Sequence, residues 1–153
     1  MEEKDLQEIL MEKHNIIKEL RKGHEEAIES KIRIFNKYME KLLPTFKFIR
    51  ERMYFFGHPA THYITKIGPI IGHNKEEGLL FAYEVEKERI VVINTHDTED
   101  VKPISTYKFF RERSFKDVID GLTYNEKLLD IIIDELNEIK NKDEKEIENY
   151  NID

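Results

Sequence analysis

One apolar stripe constrains this chain more than any other feature. From Ile28 it passes through Ile32, Phe35, Met39, Leu42, Phe46, Ile49, Met53 and Phe56, in steps of four and three that never miss. Such spacing returns to one side of an α-helix every 3.5 residues, as a coiled-coil seam requires. Upstream, Leu6, Leu10, Ile17 and Leu20 extend it, with Lys13 and His24 as polar interruptions. Consecutive steps of four around His24 form a stutter, which locally unwinds a supercoil. A seam longer than a compact domain needs predicts self-association, with residues 28–56 holding a homo-oligomer together.

Two residues interrupt a straight rod. Gly23 follows Arg21 and Lys22 and precedes Glu25 and Glu26, the pattern of one helix ending and another beginning. Pro44 removes a backbone donor and crowds the preceding turn; because the stripe stays in phase across it, a kink is expected there. Gly57 followed by Pro59 predicts the stop. Residues 1–57 therefore read as an N-terminal helical or oligomerisation region, either one long kinked helix or a helical hairpin.

The middle of the chain changes period. LLFAYEVE at 79–86 puts Leu79, Phe81, Tyr83 and Val85 on one face, and Lys87-Glu88 leads into RIVVINT at 89–95, predicting a β-hairpin. Residues 61–67 and 104–110 read as flanking strands, with GHNKEEG and HDTEDVKP as loops between strands. Ser114 with Asp117, and Thr123 with Glu126, have capping-box spacing, and the second opens a helix of about seventeen residues. Together these predict an α+β protein: N-terminal helix, small antiparallel sheet of three or four strands, C-terminal helices. Residues 58–140 form the α+β domain, and residues 141–153 have too little apolar content to pack, so they read as a flexible acidic tail.

The net charge of −7 is unevenly laid out: residues 30–59 carry +5 and residues 102–116 carry +4, while every other segment is negative. Each basic island contains one copy of nearly the same phrase, TFKFIRER at 45–52 and TYKFFRER at 106–113. Lys47, Arg50, Arg52, Lys108, Arg111 and Arg113 are thus candidate anion-binding residues, whose forks would grip phosphate oxygens if the islands converged. The competing expectation is pairing with the C-terminal helix, in the same subunit or in a neighbouring one. Asp130, Asp134 and Glu138 form an i, i+4 ladder of like charge that invites a cation, and the arginines of the islands are the expected partners.

Other chemistry is thinly represented. The absence of cysteine excludes disulfides, zinc–thiolate sites and cysteine nucleophiles. His58 and His62 are split by Pro59 and lack the glutamate of a zinc-protease motif, leaving convergence of His58, His62, His73 and His96 as the one route to a metal. His96-Asp97-Thr98 resembles half of the paired motif of two-histidine phosphoesterases, but no second copy exists. Glu25, Glu26 and Glu29 resemble the acidic ladder of all-helical nucleotide pyrophosphohydrolases, without its partner motif. No phosphate-binding glycine loop, nucleophile elbow or dinucleotide fingerprint is present. No catalytic residue, cofactor or metal is therefore assigned. No apolar run reaches membrane-spanning length and the first ten residues are acidic, so a cytoplasmic protein is expected. The functional expectation is a non-enzymatic, homo-oligomeric regulatory or adaptor protein that acts by binding another macromolecule, a protein partner being expected. The alternative is an enzyme or sensor for a phosphorylated small molecule held between the islands. Nucleic acid ranks last, since the net charge repels phosphate backbones.

Overall fold

The computed structural model describes residues 3–150. It is an α+β fold opened by one helix, α1 (Glu3–Glu51), of 49 residues. The helix runs unbroken through Gly23 and Pro44, so neither a hairpin nor a break occurs. It ends before Gly57. Met53 takes the left-handed conformation (φ 63°), and the Tyr54 and Met53 amides donate to the carbonyls of Ile49 and Arg50. Gly57 instead lies in a strand.

Two antiparallel sheets follow. A short ribbon pairs β1 (Phe56–His58) with β2 (Thr61–Thr65). A four-stranded meander runs β3 (Ile70–Asn74), β4 (Leu79–Glu84), β5 (Arg89–Asn94) and β6 (Asp97–Pro103) in spatial order. The chain closes with α2 (Thr106–Glu112), α3 (Phe115–Glu126) and α4 (Leu128–Glu148).

The meander is apolar on both faces. Ile71, Phe81, Tyr83 and Ile90 join Phe35, Phe46, Phe109, Phe110, Val118 and Leu122 in the main core. Ile70, Leu80, Ala82, Val91 and Ile93 form a second layer covered by Tyr63, Ile67 and Val101. Phe35 and Phe110 tie α1 to α2 with ring centroids 5.1 Å apart, and Phe81 and Phe109 tie β4 to α2 at 5.5 Å. Burying an aromatic ring in such a cluster is worth several kcal/mol, about 3–5 on truncation to alanine.

The stripe expected to join copies is consumed inside the chain. Ile28, Phe35, Met39, Leu42, Phe46, Ile49 and Phe56 are all buried here and Ile32 is half-buried, whereas Met53 is exposed in the turn that ends α1. The sheet and α2 and α3 occupy the seam, because a helix beside an apolar sheet needs the same 3.5–3.6 periodicity as a helix beside another helix. The inner half of α1 therefore shares one core with the α+β unit from residue 58 onward.

Three local expectations fail for identifiable reasons. ISTYKFF is helical, not a strand: Ser105 caps α2 by accepting from the Lys108 amide at 3.1 Å, and Phe109 and Phe110 are adjacent buried residues. The segment read as an acidic loop forms β6, a mostly exposed edge strand whose charges face water. Ser114 does cap α3, accepting from the Asp117 amide, but Thr123 lies inside that helix and α4 begins after Lys127 without a side-chain cap. Residues 141–148 belong to α4 rather than to a tail; residues 151–153 lie outside the described residues.

Candidate functional site

Two helical arms leave the body. Outward from Ile28, residues 5–27 of α1 are exposed at nearly every position, including Leu6, Leu10, Met11, Ile16, Ile17 and Leu20 (68% exposed). At 1.5 Å per residue this arm is about 35 Å long. Beyond Ile132, α4 likewise exposes Ile133, Leu136 (59%), Ile139 and Ile147. Both arms spring from the main core, which includes Ile28 and Leu128 and has Leu129 and Ile132 packed against it. Beyond that shared core, no extensive contact between α1 and α4 is found among the described residues. Each arm thus carries an apolar stripe with nothing on it, and stripes of this length on a water-soluble surface mark contact sites.

Both arms are net negative as a whole, but one segment of each differs in sign. Residues 13–24 of α1 contain Lys13, Lys18, Arg21 and Lys22 against Glu19, a balance of +3, with His14 and His24 in addition. Residues 130–139 of α4 contain Asp130, Asp134, Glu135 and Glu138 and no cation. None of the ladder carboxylates Asp130, Asp134 and Glu138 has an ion-pair partner among the described residues.

The two basic islands touch through the core, at Phe35 and Phe110, but their charged groups make separate contacts. Arg50 bonds Glu86 at 2.8 Å, and Arg111 bonds its neighbour Glu112 at 3.3 Å. The Arg52 guanidinium sits 3.8 Å above the Phe48 ring and that of Arg113 lies 5.0 Å from the Phe81 ring. Lys47 and Arg50 line a shallow cavity together with Glu51, Glu86 and Glu88, three carboxylates that oppose an anion there; Lys108 and Arg111 take no part in it. Among the described residues no island arginine pairs with the α4 ladder of the same copy.

Histidine is the surprise of the body. His62, His73 and His96 line one open cavity of about 650 Å³ with Thr61, Tyr63, Lys75, Gly78 and Thr95. The His62 and Tyr63 rings stack at 4.4 Å, and Tyr63 meets His73 edge-on at 5.4 Å. His73 titrates below the ordinary histidine range, first because burial penalises its charged form and then because His62, Lys75 and His58 add positive charge nearby. His58 is structural. Its Nδ1 accepts from the Ala60 amide at 3.0 Å, so the proton resides on Nε2, which donates to the Asp117 carbonyl at 2.7 Å. Among the described residues no three His, Asp or Glu side chains are arranged to hold a metal ion. The individual histidines were visible in the sequence. Their convergence was not, because it depends on β3 pairing with β4 through a segment that reads as loop.

Comparison with protein-family models, with curated proteins and with solved structures returns no match. No helix among the described residues is long and apolar enough to cross a membrane.

Proposed function

We propose that this protein is a homo-oligomeric adaptor whose α+β body displays two helical arms, and that the arms, not residues 28–56, carry the self-association through which it engages a protein partner. The observation behind this reading is the pair of exposed apolar stripes, Leu6 to Leu20 on α1 and Ile133 to Ile139 on α4. Their occupant is a second copy of the chain. The basic segment 13–24 of one copy faces the acidic segment 130–139 of the other, and two-fold symmetry repeats the contact. Charge fixes the register while apolar area supplies the affinity.

The test is sedimentation of the wild type beside a double variant, Leu10→Glu with Ile17→Glu. Both side chains are exposed, so the body keeps its thermal midpoint. The expected result is a wild-type dimer at micromolar concentration and a folded monomer for the variant. A wild type that sediments as a monomer would overturn self-association, and a dimer that survives both substitutions would move it off the arms.

A further inference from the structure

The histidine-lined cavity lies on the body and is independent of the arms. Its wall joins Lys75, three imidazoles, two threonines and Tyr63 to Pro59, Ala60 and Gly78, and no carboxylate lines it. That is unusual in a chain of net charge −7. Lys75 has no ion-pair partner among the described residues. At about 650 Å³ the cavity is of a size that small-molecule sites occupy.

The wall is also fixed in place. Gly78 adopts φ +67°, and a Cβ on it would lie 3.0 Å from Thr95 Oγ1 and 3.1 Å from His96 Nε2. Only glycine lets the turn after β3 approach the end of β5 so closely. The Thr95 amide and hydroxyl both donate to the Gly78 carbonyl at 2.9 Å, locking the two turns together. His96, which follows, is held by its amide bond to Asn94 Oδ1 at 2.9 Å. On the opposite side, the His62–Tyr63–His73 row forms an aromatic floor.

We propose that this cavity binds a small phosphomonoester, with Lys75, His62, His73 and His96 gripping the phosphate and Tyr63 underlying the organic portion. A phosphate dianion can accept hydrogen bonds from an ammonium and several imidazolium groups at once. The field at His73 supports it: every neighbouring charge that acts on this imidazole is positive, and an anion would reverse that repulsion. The groups that set the pH response are His58 of β1, His62 and Tyr63 of β2, His73 of β3, Lys75, and His96 with its neighbour Asp97; Glu76 and Glu77 share the Lys75 turn but do not line the cavity. Phosphate becomes a dianion above about pH 6, and affinity falls as the pH rises further and protons leave the cavity; His73, whose charged form burial disfavours, donates as the neutral ring.

The experiment follows the histidine ring proton resonances by NMR during titration with inorganic phosphate, adenosine monophosphate and, at matched ionic strength, sodium chloride. Saturable shifts of His62, His73 and His96 are expected, while His14 and His24 on the α1 arm stay still. Adenosine monophosphate binds more tightly than phosphate, Lys75→Ala weakens both by about tenfold, and affinity falls by about tenfold from pH 6 to pH 8. Shifts that chloride reproduces, that spread equally to His14 and His24, or that survive Lys75→Ala unchanged would overturn the site. Tighter binding of bare phosphate would overturn the ester. Repeating the titration on the Leu10→Glu, Ile17→Glu protein separates this site from the arms, because the cavity keeps its affinity whether or not the chain self-associates.

Discussion

Asn125 on α3 takes the place of a strand partner for Gly57 on β1. Gly57 lies at the register break between Phe56 and His58, and the buried Asn125 side chain serves both of its backbone groups. Oδ1 accepts from the Gly57 amide at 3.0 Å, while Nδ2 donates to the Gly57 carbonyl at 2.7 Å and to the Gly121 carbonyl at 2.8 Å. A buried backbone group left without a partner costs about 1–3 kcal/mol. Asn125→Ala, which strands at least the two groups of Gly57, is expected to lose about 3 kcal/mol in denaturant unfolding. Asn125→Asp should be nearly as damaging near neutral pH and less so in acid, where a protonated carboxyl can again donate. Equal loss for the aspartate at both pH values would argue against the clamp.

Gly121 makes the same junction possible by its missing side chain. A Cβ there would fall 2.2 Å from the Ile70 carbonyl oxygen and 2.8 Å from His58 Cδ2. Backbone cannot yield as a flexible side chain can, so α3 would have to lift from β3 and β1. Gly121→Ala should therefore destabilise by about 3 kcal/mol or more, even after the roughly 1 kcal/mol gained from better helix propensity. A thermal midpoint at or above that of the wild type would show that α3 is less tightly seated than the distances state.

These junctions explain how far the sequence could be read. Its periodicity located the inner half of α1, the β4–β5 hairpin and the Ser114 cap, since each depends on residues close in sequence. It could not say what lies on the 28–56 stripe, because a sheet and a second helix demand the same spacing. Phe109 and Phe110 misled for a related reason: an aromatic pair suits a strand, and only the Ser105 cap tips it to helix. Convergence of the histidines could be raised from the sequence but not decided, and the Asn125 clamp was illegible, being made by residues 68 positions apart.

The arms carry a prediction that the apolar substitutions do not test. If segment 13–24 faces segment 130–139 of a second copy, Arg21→Glu places like charges together and Asp134→Lys restores the pairing. An exposed ion pair contributes about 0.2–1 kcal/mol, and two-fold symmetry doubles it, so dimer dissociation should strengthen by roughly 2- to 30-fold and then recover. Sedimentation at several salt concentrations reads the effect, which fades as salt screens it. Failure of the second substitution to rescue would assign the register to apolar contacts alone.

His73 gives the fold a small pH dependence. Its folded value lies below the unfolded one, so between the two the unfolded chain binds more protons and stability rises with pH. The contribution is present above the ordinary histidine value of about 6.5 and is lost as pH falls through the lowered one. Unfolding midpoints near pH 7 and pH 5 should differ less for His73→Gln than for the wild type. An unchanged difference would mean that other groups set the slope.

The repeated phrase offers the sharpest contrast between sequence and structure. Both copies are helical, yet they are rolled differently. TFKFIRER turns Phe46 and Ile49 inward, three residues apart, whereas TYKFFRER buries the adjacent Phe109 and Phe110 and leaves Tyr107 partly exposed. The fourth position shows the difference best. Phe48 is 43% exposed and lies under the Arg52 guanidinium, while Phe109 is fully buried between Phe81 and Phe110. Identical letters should therefore have unequal weight. Phe109→Ala is expected to cost about 3–5 kcal/mol in denaturant unfolding. Phe48→Ala should cost no more than about 1 kcal/mol, the worth of an exposed cation–π contact. The converse holds at the second position, where Phe46→Ala should be severe and Tyr107→Ala mild. Comparable losses for Phe48 and Phe109 would mean that the two helices present the same face to the core, contrary to the burial of Ile49 beside Phe46 and of Phe110 beside Phe109.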